Sequence, residues 1–274
     1  MAEINGSSRL SVANWRRNEL LRRRTTNSLV AAWQRNYTSG RAVELTVDAV
    51  LQMQRQIVAG TDAYISASAA VATGTPSTPV GLNAERLIGV QARRGRFLED
   101  VYSPVQARMR SDGFDAGLAL LRQQIATDGQ LAHQRALQAR NVADRRVVGF
   151  KRQINPVAGG QTCGLCIAAS TQRYSKQALL PLHPMCRCSV VPIYSTDPLP
   201  ESGPFDRDAL EAVYARTDGA TDIKSLSDAR FNYDDLPPTI DSDAIRALEP
   251  RVAMHPEYGA YLTGNNHASV FDLP

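Results

Sequence analysis

Apolar positions follow two regimes along this chain. Val43, Val47, Val50, Leu51, Ile57 and Val58 recur at spacings of three, four and seven, with Glu44, Asp48, Gln52 and Arg55 between them. That spacing lays one apolar stripe along a helix. Trp15, Leu20, Leu21, Leu29, Val30 and Trp33 indicate an earlier helix with a looser pattern. "GTPSTPVG", Gly74 to Gly81, interrupts with two prolines and two glycines. Helical composition resumes at Asn83, and a long pattern runs through Leu118, Leu121, Ile125, Leu131 and Leu137. Aromatics are few and Val/Ile alternation is weak in this half, so no sheet is expected before about residue 146.

The second regime starts there. "RVVGFKRQI", Arg146 to Ile154, is β-rich and near-alternating and predicts a strand. "NPVAGG" follows as a turn, and "SVVPIY", Ser189 to Tyr194, predicts a second strand. From Asp197 the chain is acidic and rich in proline. "DALEAVYAR", Asp208 to Arg216, reads as one short helix and "NYDDLPPTIDSD" as an extended linker. With few apolar runs, the segment from residue 197 is expected to pack weakly and to be dispensable for folding. The expected fold class is mainly α. A helical domain spans 1–145, a small α+β, Cys-rich, zinc-clip-like element spans 146–196, and an extended acidic tail spans 197–274.

Charge sharpens this division. The chain of 274 residues has 31 basic and 27 acidic side chains, but residues 197–274 hold 15 acidic and 6 basic ones. Residues 1–196 are therefore left with 25 basic and 12 acidic. Asymmetry of this kind points to a polyanion or an acidic protein as partner, or to nothing more than solvated helix faces. The sharpest basic stretch is "RRNELLRRR", Arg16 to Arg24. No apolar run is long enough to span a membrane. "MAEINGSSRLSVANW" lacks the apolar core of a signal peptide. The expected setting is thus a reducing cytosol, where clustered cysteines are thiolates sooner than disulfides.

Clustered cysteines are what the chain has. All four lie, with one of the four histidines, within the 26 positions from Cys163 to Cys188. The spacing is C-x2-C, then 16 residues, then H-x2-C-x-C. A C-x-x-C turn aims two thiolates at one point, and a second pair from a distant segment completes a tetrahedron that suits zinc. The candidates are Cys163, Cys166, His183, Cys186 and Cys188, one more than a closed zinc site needs. Either the four cysteines ligate with His183 beside them, or His183 and Cys186 ligate and Cys188 packs. Two disulfides, a redox C-x-x-C pair and buried thiols without metal are the competing readings.

"GFKRQINPVAGGQTCGLCIAASTQRYSKQALLPLHPMCRCSVVPI" resembles the C-terminal motif of Mu F-like phage head morphogenesis proteins, with actinobacterial tailed-phage minor capsid proteins nearest. The resemblance rests on Phe150 to Ile154, Cys163, Cys166, Tyr174, His183, Cys186, Cys188 and Val190 to Ile193, and covers roughly residues 145 to 195. "HPEYGAYLTGNNHASVF" is similar to the tail of the actinophage members. The resemblance implies a minor head protein, present in a few copies in the virion and made in the host bacterial cytoplasm. Its partners would be the portal protein and the major capsid and scaffold proteins, with packaged DNA against the basic N-terminal region, and no membrane. A structural zinc is the implied cofactor.

Relatives of this kind are often labelled capsid maturation proteases, which is the alternative function. A protease needs a nucleophile with a histidine base. His133 sits in a helical, Arg-rich stretch and is expected to face solvent, His183 belongs to the cysteine cluster, and His255 and His267 lie in the tail. Ser269 is close to His267 in sequence, which is not triad geometry. No G-x-S-x-G, H-E-x-x-H, P-loop or G-x-G-x-x-G occurs. The residues favour a non-enzymatic role, with no catalytic and no cofactor-binding residue assigned.

Overall fold

The structure is a computed structural model, and it describes residues 6–155, 161–176, 188–197, 207–219, 221–232, 251–255 and 259–263. Among these the chain is mainly helical, with short strands appearing from residue 147 onward. Helices α1 (Gly6–Asn36), α2 (Arg41–Thr73), α3 (Leu98–Asp112) and α4 (Phe114–Ala143) account for most of it. After them come strands β1 (Val147–Gln153) and β2 (Gln161–Cys163), helix α5 (Gly164–Ser170), and strands β3 (Arg173–Tyr174) and β4 (Ser189–Tyr194). Helices α6 (Arg207–Ala215) and α7 (Ile223–Asp228) and strands β5 (Arg230–Asn232), β6 (Arg251–His255) and β7 (Gly259–Thr263) complete the order. The chain divides into two compact units that interleave in sequence. One comprises 18–63 and 79–140, and the other comprises 1–17, 64–78 and 141–274.

The first of these units is helical, and its core follows the apolar stripes. Val43, Val50, Ile57 and Val58 of α2 are buried with Trp33, Tyr102, Leu121 and Ile125. Gly113, at φ 95°, ends α3 so sharply that α4 starts at the next residue. Glycine is the residue that takes such a φ without strain. Pro104 lies inside α3 and offers no N–H to the carbonyl four residues back. That carbonyl, on Asp100, accepts from the Arg96 guanidinium instead, at 3.1 Å.

Two buried carboxylates tie this helical unit together. Asp128 of α4 is fully buried, takes an ion pair from Arg93 at 2.6 Å and accepts from the Tyr102 hydroxyl at 2.6 Å. Burial, then the Asp128 charge, push the Tyr102 phenol well above its ordinary range. Asp62 of α2 accepts three backbone N–H groups, from Val80 (3.2 Å), Gly81 (2.8 Å) and Leu82 (3.2 Å). It also pairs with the buried Arg140 at 3.4 Å. The Pro/Gly interruption is therefore a loop held at its far end by a carboxylate. In the basic stretch, Arg22 is buried and bonded to Glu19, whereas Arg23 and Arg24 are exposed.

The other unit is built on a three-stranded sheet of order β3-β1-β4, with both pairings antiparallel. A register shift between Val147 and Gly149 leaves Val148 exposed, while Phe150 faces Pro192 and Arg152 faces Val190. Gly149 is required here, because a Cβ would stand 2.6 Å from the Tyr174 carbonyl oxygen. Pro192 costs β4 no ladder partner on its outer side, since β4 is an edge strand. Ser11 donates to Ser189, and the Tyr64 hydroxyl donates to the Val190 carbonyl at 3.0 Å. A second antiparallel pair joins β2 to β5, and a third joins β6 to β7.

One expectation about the tail fails. The described stretches 207–219 and 221–232 do not pack weakly: Val213, Leu226 and Phe231 are buried in one cluster with Ile154, Ile167 and Ala168. The reason is amphipathicity over a short span. Leu210, Val213 and Tyr214 share a face of α6, and Phe231 reaches the cluster through the β2–β5 pairing. The linker reading of 232–243 lies, beyond Asn232, outside the described residues.

Candidate functional site

The cysteine motif is carried by the sheet-bearing unit. Cys163 ends β2 and caps α5: its Sγ accepts the Cys166 backbone N–H at 3.4 Å. The cap position explains the C-x-x-C spacing, since an N-cap side chain reaches the N–H three residues on. Both sulfur-bearing residues thus sit at one end of one short helix. Cys166 is buried, while Cys163 and Cys188 are half-buried. Cys188 stands immediately before β4, where the guanidinium of Arg152 on β1 reaches its Sγ at 3.4 Å.

Arg152 belongs to a wider arrangement. Its guanidinium lies 5.6 Å from the Tyr174 ring centroid, and Tyr174 stacks on Phe150 at 6.0 Å. The Tyr174 hydroxyl donates to the Ala169 carbonyl at 3.0 Å, which fastens β3 to α5. Burial pushes the Tyr174 phenol up, and the Arg152 charge draws it part of the way back. Phe150, Arg152, Tyr174 and Cys188 therefore form one connected face, and the register Phe150↔Tyr174 and Arg152↔Val190 is what assembles it.

Of the five metal candidates, Cys163, Cys166 and Cys188 are described, and His183 and Cys186 lie outside the described residues. Among the described residues no three His, Cys, Asp or Glu side chains are grouped to hold a metal ion. What the described part does present is Cys163 and Cys166 at the start of α5, with Cys188 beside an arginine.

The histidines separate in an informative way. His133 is half-buried, not solvent-facing as expected, because Thr61 of α2 bonds its Nδ1 at 2.9 Å. A histidine beside a hydroxyl resembles a base and its nucleophile. Here the Thr61 hydroxyl donates its proton to the Ile57 carbonyl at 2.7 Å. The histidine is then the donor in the Thr61–His133 bond, the reverse of what an activated nucleophile requires.

Residues that composition and spacing did not single out are Lys151, Arg152 and Arg173. The signal of the first two was present, since Lys151 and Arg152 interrupt a near-alternating apolar run; Arg173, on a strand of two residues, had none. Compared with models of known families, with curated proteins and with solved structures, the chain matches none. No helix among the described residues is long and apolar enough to cross a membrane.

Proposed function

We propose that this chain is a structural minor capsid and head morphogenesis protein of a tailed phage, associated with the portal and the head interior and present in few copies per virion. The observation that supports the reading is the way the motif-bearing segment comes together. Phe150, Tyr174 and Cys188 are far apart in sequence, yet they meet on one small sheet with the Cys163–Cys166 turn fastened to it through α5. A segment of that build suits a docking and scaffolding element on a helical body.

The reading includes a structural zinc held by four of Cys163, Cys166, His183, Cys186 and Cys188. Zinc would supply a cross-link that a small β-element cannot draw from its own core. The Cys163–Cys166 cap supports this, because it holds two sulfur-bearing residues at one end of α5. The partners in this reading are the portal protein and the major capsid and scaffold proteins. The exposed Arg23 and Arg24 would lie against packaged DNA.

The test is genetic complementation. A phage lacking this gene should fail to make filled heads while still processing its major capsid protein normally. The wild-type chain should restore filled heads, and Cys163→Ser should restore them poorly. Loss of capsid-protein processing in the deletion would replace this reading with the maturation protease.

A further inference from the structure

We propose that the run from Arg94 to Phe97, in the loop before α3, is a contact site for single-stranded nucleic acid, with the Phe97 ring taking an unpaired base and the two guanidiniums taking phosphates. All four residues of the run are exposed, and Phe97, at 59%, is the most exposed large apolar side chain among the described residues. The run is held from both sides. Ala92 before it and Leu98 after it are buried. Arg93 pairs with the buried Asp128 at 2.6 Å, and the Gly89 N–H donates to the Gln54 side chain at 2.8 Å. The Gly95 N–H donates to the Val90 carbonyl at 2.9 Å, which closes the turn.

Two residues of the run go against what the backbone there prefers. Arg94 has φ 56°, in the left-handed region where glycine is at ease and a long side chain is not. Phe97 stands at the N-cap of α3, a position that favours Ser, Thr, Asp or Asn, and it makes no capping bond. Glycine at 94 and serine at 97 would suit the chain better. Neither side chain is recovered by the core, since both are exposed. Local departures without a gain inside the fold gather at functional sites.

The chemistry of the run selects the ligand. An aromatic face stacks on a base of any identity, and guanidiniums beside it bond backbone phosphates. The base must be unpaired, because one inside a duplex is already stacked on both sides. The Cα atoms of Arg94 and Arg96 are at most about 7 Å apart, which suits neighbouring phosphates of one strand. Among the acids close in sequence, Glu85 is paired with Arg55 at 2.8 Å. Glu99 and Asp100 lie in the first turn of α3, where they complement the positive end of the helix dipole. The helical unit, 18–63 and 79–140, holds 15 arginines against 10 acids, a balance that favours an anion. A protein partner is the poorer fit, because one apolar side chain is too little for the desolvated centre of a protein interface. The site lies apart from the cysteines and does not depend on the function proposed above.

The experiment is fluorescence anisotropy of a short labelled oligothymidylate, titrated with the full-length chain at a series of sodium chloride concentrations. The expected result is saturable binding, tighter than to a duplex of the same length. Phe97→Ser should weaken it about tenfold, yet melt no lower than the wild type, since serine supplies the missing cap. Phe97→Trp should retain it. Arg94→Gly should also weaken it and should make the slope of log affinity against log salt shallower by about 0.7, the share of one phosphate contact. Phe97→Ser should leave that slope unchanged. Binding that is unmoved in Phe97→Ser, or as tight to the duplex, overturns the proposal in favour of plain charge attraction. Displacement by polyglutamate as readily as by unlabelled oligothymidylate overturns it in favour of an acidic polypeptide. Absence of saturable binding overturns it outright.

Discussion

Replacing Asp62 with alanine tests how the helical unit is held. The carboxylate accepts backbone N–H groups from Val80, Gly81 and Leu82 and pairs with Arg140 at 3.4 Å. These contacts do not weigh equally. Val80 and Gly81 are exposed, so water replaces the carboxylate at their N–H groups and little is lost there. Arg140 is different: its side chain is 6% exposed, and removing Asp62 takes an opposite charge away from it in the interior. Breaking a buried pair on one side costs about 3–5 kcal/mol. The chain has two tryptophans, and Trp33 is the one inside the helical unit, fully buried with its Nε1 donating to Thr46 at 2.8 Å. In a Trp15→Phe background its fluorescence follows the unfolding of that unit alone. With a urea m-value of about 1–3 kcal/mol/M, Asp62→Ala should lower the midpoint by at least about 1 M. Adding Arg140→Met, which removes the buried cation that has lost this opposite charge, should recover more than half of the loss. A cost below about 1 kcal/mol, or no recovery in the double variant, would refute the assignment of the cost to Arg140.

Other outcomes follow from the same contacts. In Gly117→Ala a Cβ would stand 2.0 Å from Met109 Cγ and 2.9 Å from its backbone nitrogen. Thermal melting should show a loss of about 1–3 kcal/mol. Phe231→Ala empties a buried site beside Ile154 and Ile167 and should cost about 3–5 kcal/mol. A chain ending at residue 196 should accordingly bind a hydrophobic dye or precipitate, as light scattering would report. Protein purified without chelator should contain about one zinc per chain by elemental analysis, and Cys163→Ser should lose it; metal-free protein with intact thiols by mass spectrometry would reject the clip.

The features legible in the sequence are those set by local pattern. The stripe from Val43 to Val58 lies within α2, the pattern from Leu118 to Leu137 lies within α4, and the β-rich run after Arg146 is β1. What local pattern does not carry is any feature whose cause lies elsewhere in the chain. The α6–β5 region looked like a solvated tail because its apolar residues are sparse, and their partners Ile154 and Ile167 lie about 45 to 75 residues upstream. His133 looked exposed because its partner, Thr61, is on another helix. Asp62 and Asp128 carry no sequence signal of burial, since the groups that satisfy them come from loops and neighbouring helices. For the candidate site, spacing nominated the cysteines, whereas the placement of Arg152 beside Cys188 required the β1–β4 register.

In the function proposed, this chain is a built-in part of the phage head. Quantitative mass spectrometry of gradient-purified virions, calibrated against the portal and major capsid proteins, tests it most directly. The expected result is full-length chain, with peptides from both the α1 region and the segment beyond residue 251, at a few copies per particle. Virions free of the chain, or holding it only as cleaved fragments, would contradict it.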